Sequence, residues 1–270
     1  MSVNLLTEAI EHGVPLVVVS PHLDDAVLSC GALISYAAGR IPVTVATLFT
    51  EAGPPPYTLS ARQYLRQVGA RDAESLYRLR RAEDRTALEP MGINCVHAGL
   101  IEAQYRRRTG AASRRWWADV LPEIQHIYPI YRLHVTSGRV APADAGTLQD
   151  ASTFICRLAS PEPVLVLAPL GVGGHVDHVL TRTAAERIGS RIAYYSDFPY
   201  NQRHPPDDAF VRRNGLVEMR WTQLIETKPG LIRAYRTQAH ALFNGGEIPV
   251  IPEIFFVPTA KPDSPEGGNQ

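Results

Sequence analysis

Six side chains in two short stretches of this sequence have the types and spacing to do chemistry. His22, Asp24 and Asp25 lie in "VVVSPHLDDAVLSCGALI" (17–34), and His175, Asp177 and His178 lie in "GVGGHVDHVL" (171–180). In each stretch a histidine stands three residues from a second donor, so ligand atoms could converge on one point. Two histidines and one carboxylate around an open fourth position make a zinc site of the hydrolytic kind. Each stretch alone also has a plainer reading: acids capping a helix in the first, histidines at a helix start in the second. The glycines before His175 lack the spacing of a dinucleotide fingerprint, and no G-K-[ST] is present. A turn that allows close backbone approach is the expectation there.

The elements that must position these residues follow from hydrophobic pattern. Both stretches come after the two most strand-like runs in the chain, "VPLVVVS" (14–20) and "PVLVLAPL" (163–170), which are short and apolar as strands buried on both faces are. From Asp24 the period changes: Val27, Leu28, Leu33, Ile34 and Ala37 suit one face of a helix stopping at Gly39, and "IPVTVATLFT" (41–50) returns as a strand. Such a unit predicts a parallel strand pair. "EAGPPPYTLSARQYLRQVG" (51–69) reads as a loop or lid, followed by a charged helix over about 71–91 with one solvated face. "INCVHAGL" (93–100) and "RIAYYSDFPY" (191–200) read as strands, "SRRWWADVL" (113–121) and "TLQDASTFICRLA" (147–159) as helices. The alternation predicts an α/β fold: a Rossmann-like, doubly wound, mostly parallel sheet with helices on both faces, its ligand beyond the carboxyl ends of the strands where their order reverses. One domain over 1–260 and a flexible tail over 261–270 are expected.

Composition narrows the partner. With 27 basic and 27 acidic side chains the formal net charge is zero, so no global field draws the chain to nucleic acid or an anionic membrane. A small molecule recognised locally is the expected partner. Cys30, Cys95 and Cys156 are far apart and form no C-x-x-C pair, which suits free thiols in a reducing cytoplasm. No apolar run approaches the ~20 residues that span a bilayer.

In its motifs the chain resembles the LmbE-like or PIG-L superfamily of zinc-dependent N-deacetylases. Members carry an [A/S]-H-P-D-D-E-type motif after the first strand and H-x-D-H after a later one; "SPHLDDAV" and "HVDH" match them here. "RRAED" (80–84), "YYSDFPY" (194–200) and, more loosely, "KPGLIRAYRTQ" and "PEIFF" extend the likeness over most of the chain. The resemblance implies one Zn2+ per chain, or another divalent ion, held by His22, Asp25 and His178. It makes Asp24 the general base toward water, gives His175 the task of stabilising or protonating the tetrahedral intermediate, and has Asp177 orient a histidine. "PHLDDAVLS" is similar to the deacetylases of antibiotic biosynthesis, which implies removal of the N-acetyl group from an N-acetylglucosamine-type unit. A mycothiol-conjugate-type amidase or another N-deacylase is the alternative within the resemblance. A non-catalytic sugar-binding module on the same fold is the alternative from another functional class. Leu23 stands for the usual proline, a change of backbone stiffness, and Ala26 for the usual glutamate, which removes a carboxylate.

Other residues are weaker candidates. Tyr105 to Arg108 form a basic cluster expected on a solvated face, with Arg106 the candidate to reach over a substrate. Asp197 and Tyr200 are candidates to line the pocket. His97 reads as a hydrogen-bonded interior histidine, and Glu253 as holding a sheet edge or a pocket wall. Trp116 and Trp117, adjacent on a helix, cannot both face the core; one is expected at a pocket rim or at a subunit contact in a homo-oligomer.

Overall fold

The computed structural model describes residues 5–108, 121–160, 163–189, 191–243 and 246–259. Trp116, Trp117 and the 261–270 tail lie outside these residues, as does the expected helix over 113–121 but for Leu121. In chain order the elements are α1 (Leu5–Glu11), β1 (Leu16–Ser20), α2 (Asp25–Ala37), β2 (Val43–Glu51), α3 (Leu59–Gln67), α4 (Ala73–Leu88) and β3 (Asn94–Ile101). They continue with α5 (Ala145–Ala159), β4 (Leu165–Pro169), α6 (Val176–Ala185), β5 (Ile192–Tyr195), α7 (Asp208–Arg213), β6 (Leu216–Trp221), α8 (Lys228–Ala234), α9 (Arg236–Phe243) and β7 (Glu253–Pro258).

The strands form one sheet in the order β3-β2-β1-β4-β5-β7-β6. The first five are parallel, and β7 joins β5 and β6 antiparallel. The doubly wound α/β expectation is met. Val18 pairs with Val45 on one side and Leu167 on the other, so the strand order reverses between β1 and β4. Beyond their carboxyl ends lie His22 and His175.

Strand periodicity fills both faces. Leu16, Val18, Val43, Val45, Leu165 and Leu167 pack in one core with α1, α2 and α8. Val17, Val19, Val166 and Ala168 alternate into a second core with α5 and α6. All five residues of β1 and all five of β4 are buried. Each such Val or Leu contributes about 1.5–3 kcal/mol, which fixes where the two turns begin.

Two elements differ from expectation. The stretch over 51–69 contains α3, whose start is capped by Thr58 Oγ1 accepting from the Ala61 amide at 3.2 Å; the prolines before it hide a short amphipathic helix. In α4, Arg80 and Asp84 lie on the buried stripe with Leu76, Tyr77, Ala87 and Leu88 rather than on the solvated face. Among the described residues no helix is long and apolar enough to cross a membrane.

Candidate active site

The turn after β1 is held by its own side chains. Ser20 Oγ donates to the His22 carbonyl at 2.6 Å and accepts from the Ala26 amide at 3.0 Å. Asp25 Oδ2 accepts from the His22 amide at 2.9 Å. Asp24 occupies the cap position of α2, yet its side chain makes no cap hydrogen bond. It lines a cavity instead, with its Oδ1 3.6 Å from Arg80 Nη2. The two residues that depart from the family motif both pack inward. Leu23 is fully buried against Leu65, Leu76, Tyr77 and Tyr105, so it anchors α3 and α4 to the turn rather than merely changing stiffness. Ala26 sits in the core between α2 and the sheet, outside the cavity lining.

The turn after β4 is glycine-rich because other segments press on it. Gly173 and Gly174 have φ of +85° and +70°, and a Cβ on Gly173 would stand 3.1 Å from that of Tyr200. The Gly138 amide donates to the Gly174 carbonyl at 2.7 Å. His175 then caps α6, its Nδ1 accepting from the Asp177 amide at 3.2 Å. That acceptor role puts the proton of a neutral His175 on Nε2.

The two turns bring five of the six motif side chains into one polar network, with Asp24 at its edge. Asp25 Oδ2 lies 3.0 Å from His22 Nδ1 and 3.2 Å from His178 Nε2. Ligand atoms on a tetrahedral zinc ion, each about 2.0–2.1 Å from it, stand about 3.3 Å apart, so both contacts of Asp25 Oδ2 are close to the spacing of neighbouring ligands. His22, His175 and His178 also bring ring nitrogens within 4.8 Å of one another. His22 and His178 each have a carboxylate behind them: Asp177 Oδ2 is 3.2 Å from His22 Nε2, and Asp197 Oδ1 is 2.6 Å from His178 Nδ1. Paired carboxylates of this kind fix the orientation of metal-ligating histidines.

Charge follows from crowding. Burial, with the Asp25 charge beside it, pushes Asp24 up to about 6 against the pull of Arg80. Burial likewise lifts Glu102 up to about 7 against the pull of His22. Burial works against a charge on His22, but Glu102, Asp177 and Asp25 outweigh it and raise the imidazole to about 9. His175, by contrast, is lowered well below the usual range by burial and then by the His22 charge. Against burial, the Arg106 guanidinium and His22 hold Asp177 below the carboxylate range. A divalent cation among His22, Asp25 and His178 would replace imidazole protons, since ligation requires neutral rings.

The cavity in front of this network measures about 610 Å³. His22, Asp24, Asp25, His175 and Tyr200 line it, whereas Asp177, His178, Arg106 and Asp197 do not. Arg106 is buried, its Nη2 2.6 Å from Asp177 and 3.0 Å from Asp144; it lies behind the histidines, neither over the cavity nor on a solvated face. Asp197 supports His178 and accepts from the Val172 amide at 2.7 Å. Glu253, at the start of β7, accepts from the Ala32 and Leu33 amides and pairs with Lys228 at 3.3 Å, away from both the cavity and the sheet edge. Arg80, which opens the quoted "RRAED" stretch but was assigned no role from the sequence, and Glu102, which was not singled out, also line the cavity. The signals for Arg80 were that stretch and its place on the apolar stripe of α4.

The chain is similar to known proteins over most of its length. The family model PIG-L, GlcNAc-PI de-N-acetylase, matches residues 17–188. A 2'-N-acetylparomamine deacetylase of Streptomyces fradiae is 31% identical over 200 residues, which is 72% of this chain and 60% of that protein. The chain thus spans under two thirds of that relative's length. A second 2'-N-acetylparomamine deacetylase, from Niallia circulans, is 24% identical over 265 residues, covering 88% of this chain and 89% of the relative. The crystal structure of the zinc-inhibited form of teicoplanin deacetylase Orf2 superposes with a TM-score of 0.68 at 23% identity, over 90% of this chain and 97% of that one.

Proposed function

This chain belongs to the PIG-L (GlcNAc-PI de-N-acetylase) family, and we propose that it hydrolyses the N-acetyl group of an N-acetylglucosamine-type amino sugar, releasing acetate and the free amine. The observation that carries this reading is the convergence of His22 Nδ1, Asp25 Oδ2 and His178 Nε2 beside Asp24 at the wall of a cavity. The donor set of two nitrogens and one carboxylate oxygen fits a divalent cation, zinc first, with Asp177 and Asp197 bracing the rings. Bound there, such an ion polarises the amide carbonyl and makes water nucleophilic near neutral pH.

The chain's own residues do the rest. Asp24, free of any capping role, takes the proton of the attacking water and returns it to the departing amine. His175 presents Nε2–H to the cavity, where a neutral imidazole donor stabilises the developing oxyanion. Tyr200 and Arg80 bound the space left for the sugar. The substrate class is supported by the relatives named for 2'-N-acetylparomamine, and we assign an amino-sugar unit of an antibiotic or other secondary metabolite as substrate. Free Cys30, Cys95 and Cys156 support a cytoplasmic location.

Mass spectrometry of the zinc-loaded chain incubated with 2'-N-acetylparomamine and with N-acetylglucosaminyl glycosides tests the proposal. Replacement of one acetyl group by hydrogen on at least one of these, abolished by chelation, is the expected result. Intact N-acetyl groups throughout the panel would overturn it.

A further inference from the structure

Outside the cavity, three more donors converge at the edge of the sheet. Cys95 and His97 stand two apart on β3, hence on one face, and among the described residues β3 is an edge strand paired only with β2. Asp84 reaches them from α4. Asp84 Oδ2 is 2.8 Å from His97 Nε2 and 3.2 Å from Cys95 Sγ, and Sγ is 3.4 Å from the same Nε2. One atom from each residue therefore faces the other two. A nucleophile triad is built differently, with the histidine bridging its partners through two separate nitrogens. Ligands on a tetrahedral zinc ion stand about 3.3–3.6 Å apart, so the two sulfur edges lie close to that spacing, and the 2.8 Å Asp84–His97 hydrogen bond has to open by about half an ångström to admit an ion. Tyr235 donates to the second Asp84 oxygen at 2.7 Å, which fixes the carboxylate.

We propose that Asp84, Cys95 and His97 form a second metal site, separate from His22, Asp25 and His178, that takes a borderline-soft divalent cation, with zinc the leading case. Thiolate sulfur and imidazole nitrogen select such ions over magnesium or calcium. Binding releases the Cys95 thiol proton to solvent and leaves His97 protonated on Nδ1; thiolate and carboxylate then balance the ion's two charges. Cys95 is only half-buried, so an ion can reach the site. The His97 Nδ1 is buried and has no hydrogen-bond partner among the described residues. It lacks the carboxylate that stands behind His22 and His178, so this site fills after the first. An ion here ties α4, which carries Arg80 one turn before Asp84, to β3, which runs on into Glu102. It thereby braces one wall of the cavity.

Cobalt titration of the metal-stripped full chain separates the two sites, because only the second contains sulfur. The expected result is an intense near-ultraviolet thiolate-to-cobalt band that develops after the first equivalent is bound. Cys95→Ser and His97→Asn should lose it while keeping the first equivalent, and Asp25→Asn should keep it. A wild-type titration without the band, or a band that survives Cys95→Ser, would overturn the proposal whatever the outcome for deacetylation.

Discussion

The turn after β1 and the turn after β4 meet at one point but differ in how much of their support comes from elsewhere in the chain. The first is bonded mainly from within: Ser20 and Asp25 satisfy the His22 carbonyl and the His22 and Ala26 amides from within six residues, while the Phe49 amide of β2 reaches the Pro21 carbonyl. The second is held from outside, by the Gly138 amide, by Asp197 on Val172, and by Arg106 on Asp177. Exposure follows the same division. His22, Asp24 and Asp25 all line the cavity, while of the second motif only His175 does. The first turn thus places three side chains at the cavity wall, and the second places His175 there while its other two motif residues are aligned from behind by residues far away in sequence. Damage to the outside supports should therefore cost stability or metal affinity with turnover falling only as a consequence, whereas damage at Asp24 in the first turn should cost turnover with the metal kept.

The largest effect on the outside supports is expected for Arg106→Met, which leaves Asp177 and Asp144 buried with no cation between them. A loss of about 3–5 kcal/mol is expected in urea unfolding; unchanged stability would mean the second turn does not depend on this pair. Asp197→Asn is milder. It keeps an acceptor beside His178 but removes the charge, and zinc affinity measured by titration should fall about 10–100-fold. An unchanged affinity would detach Asp197 from the metal centre. The smallest expected effect is that of Gly173→Ala, which places a Cβ at φ +85° against Tyr200. The strain costs about 1–2 kcal/mol, and displacement of Tyr200 should raise KM while kcat is held. A fall in kcat alone would place Tyr200 in the chemistry rather than at the cavity wall.

The two motifs could be read in the sequence because their residue types carry chemistry and the strands before them are unmistakably apolar. The doubly wound sheet followed from the same strands. What escaped were residues whose meaning depends on distant partners. Arg106 sits among other arginines and reads as solvated until Asp144 and Asp177 are brought to it across the fold. Asp197 reads as pocket-lining until His178 is seen beside it. Leu23 counts as a lost proline until α3 and α4 close over it. Asp84, His97 and Tyr235 join over separations of 13 and 151 residues, which no local pattern encodes.

The central claim is a division of labour between adjacent carboxylates: Asp25 holds the ion and Asp24 moves the proton. Metal content and turnover measured together on Asp24→Asn and Asp25→Asn test it most directly. The account predicts that Asp24→Asn keeps its metal and loses about 10²–10⁴-fold in kcat, while Asp25→Asn loses both. An Asp24→Asn protein that turns over at the wild-type rate, or that loses its metal together with its activity, would contradict it.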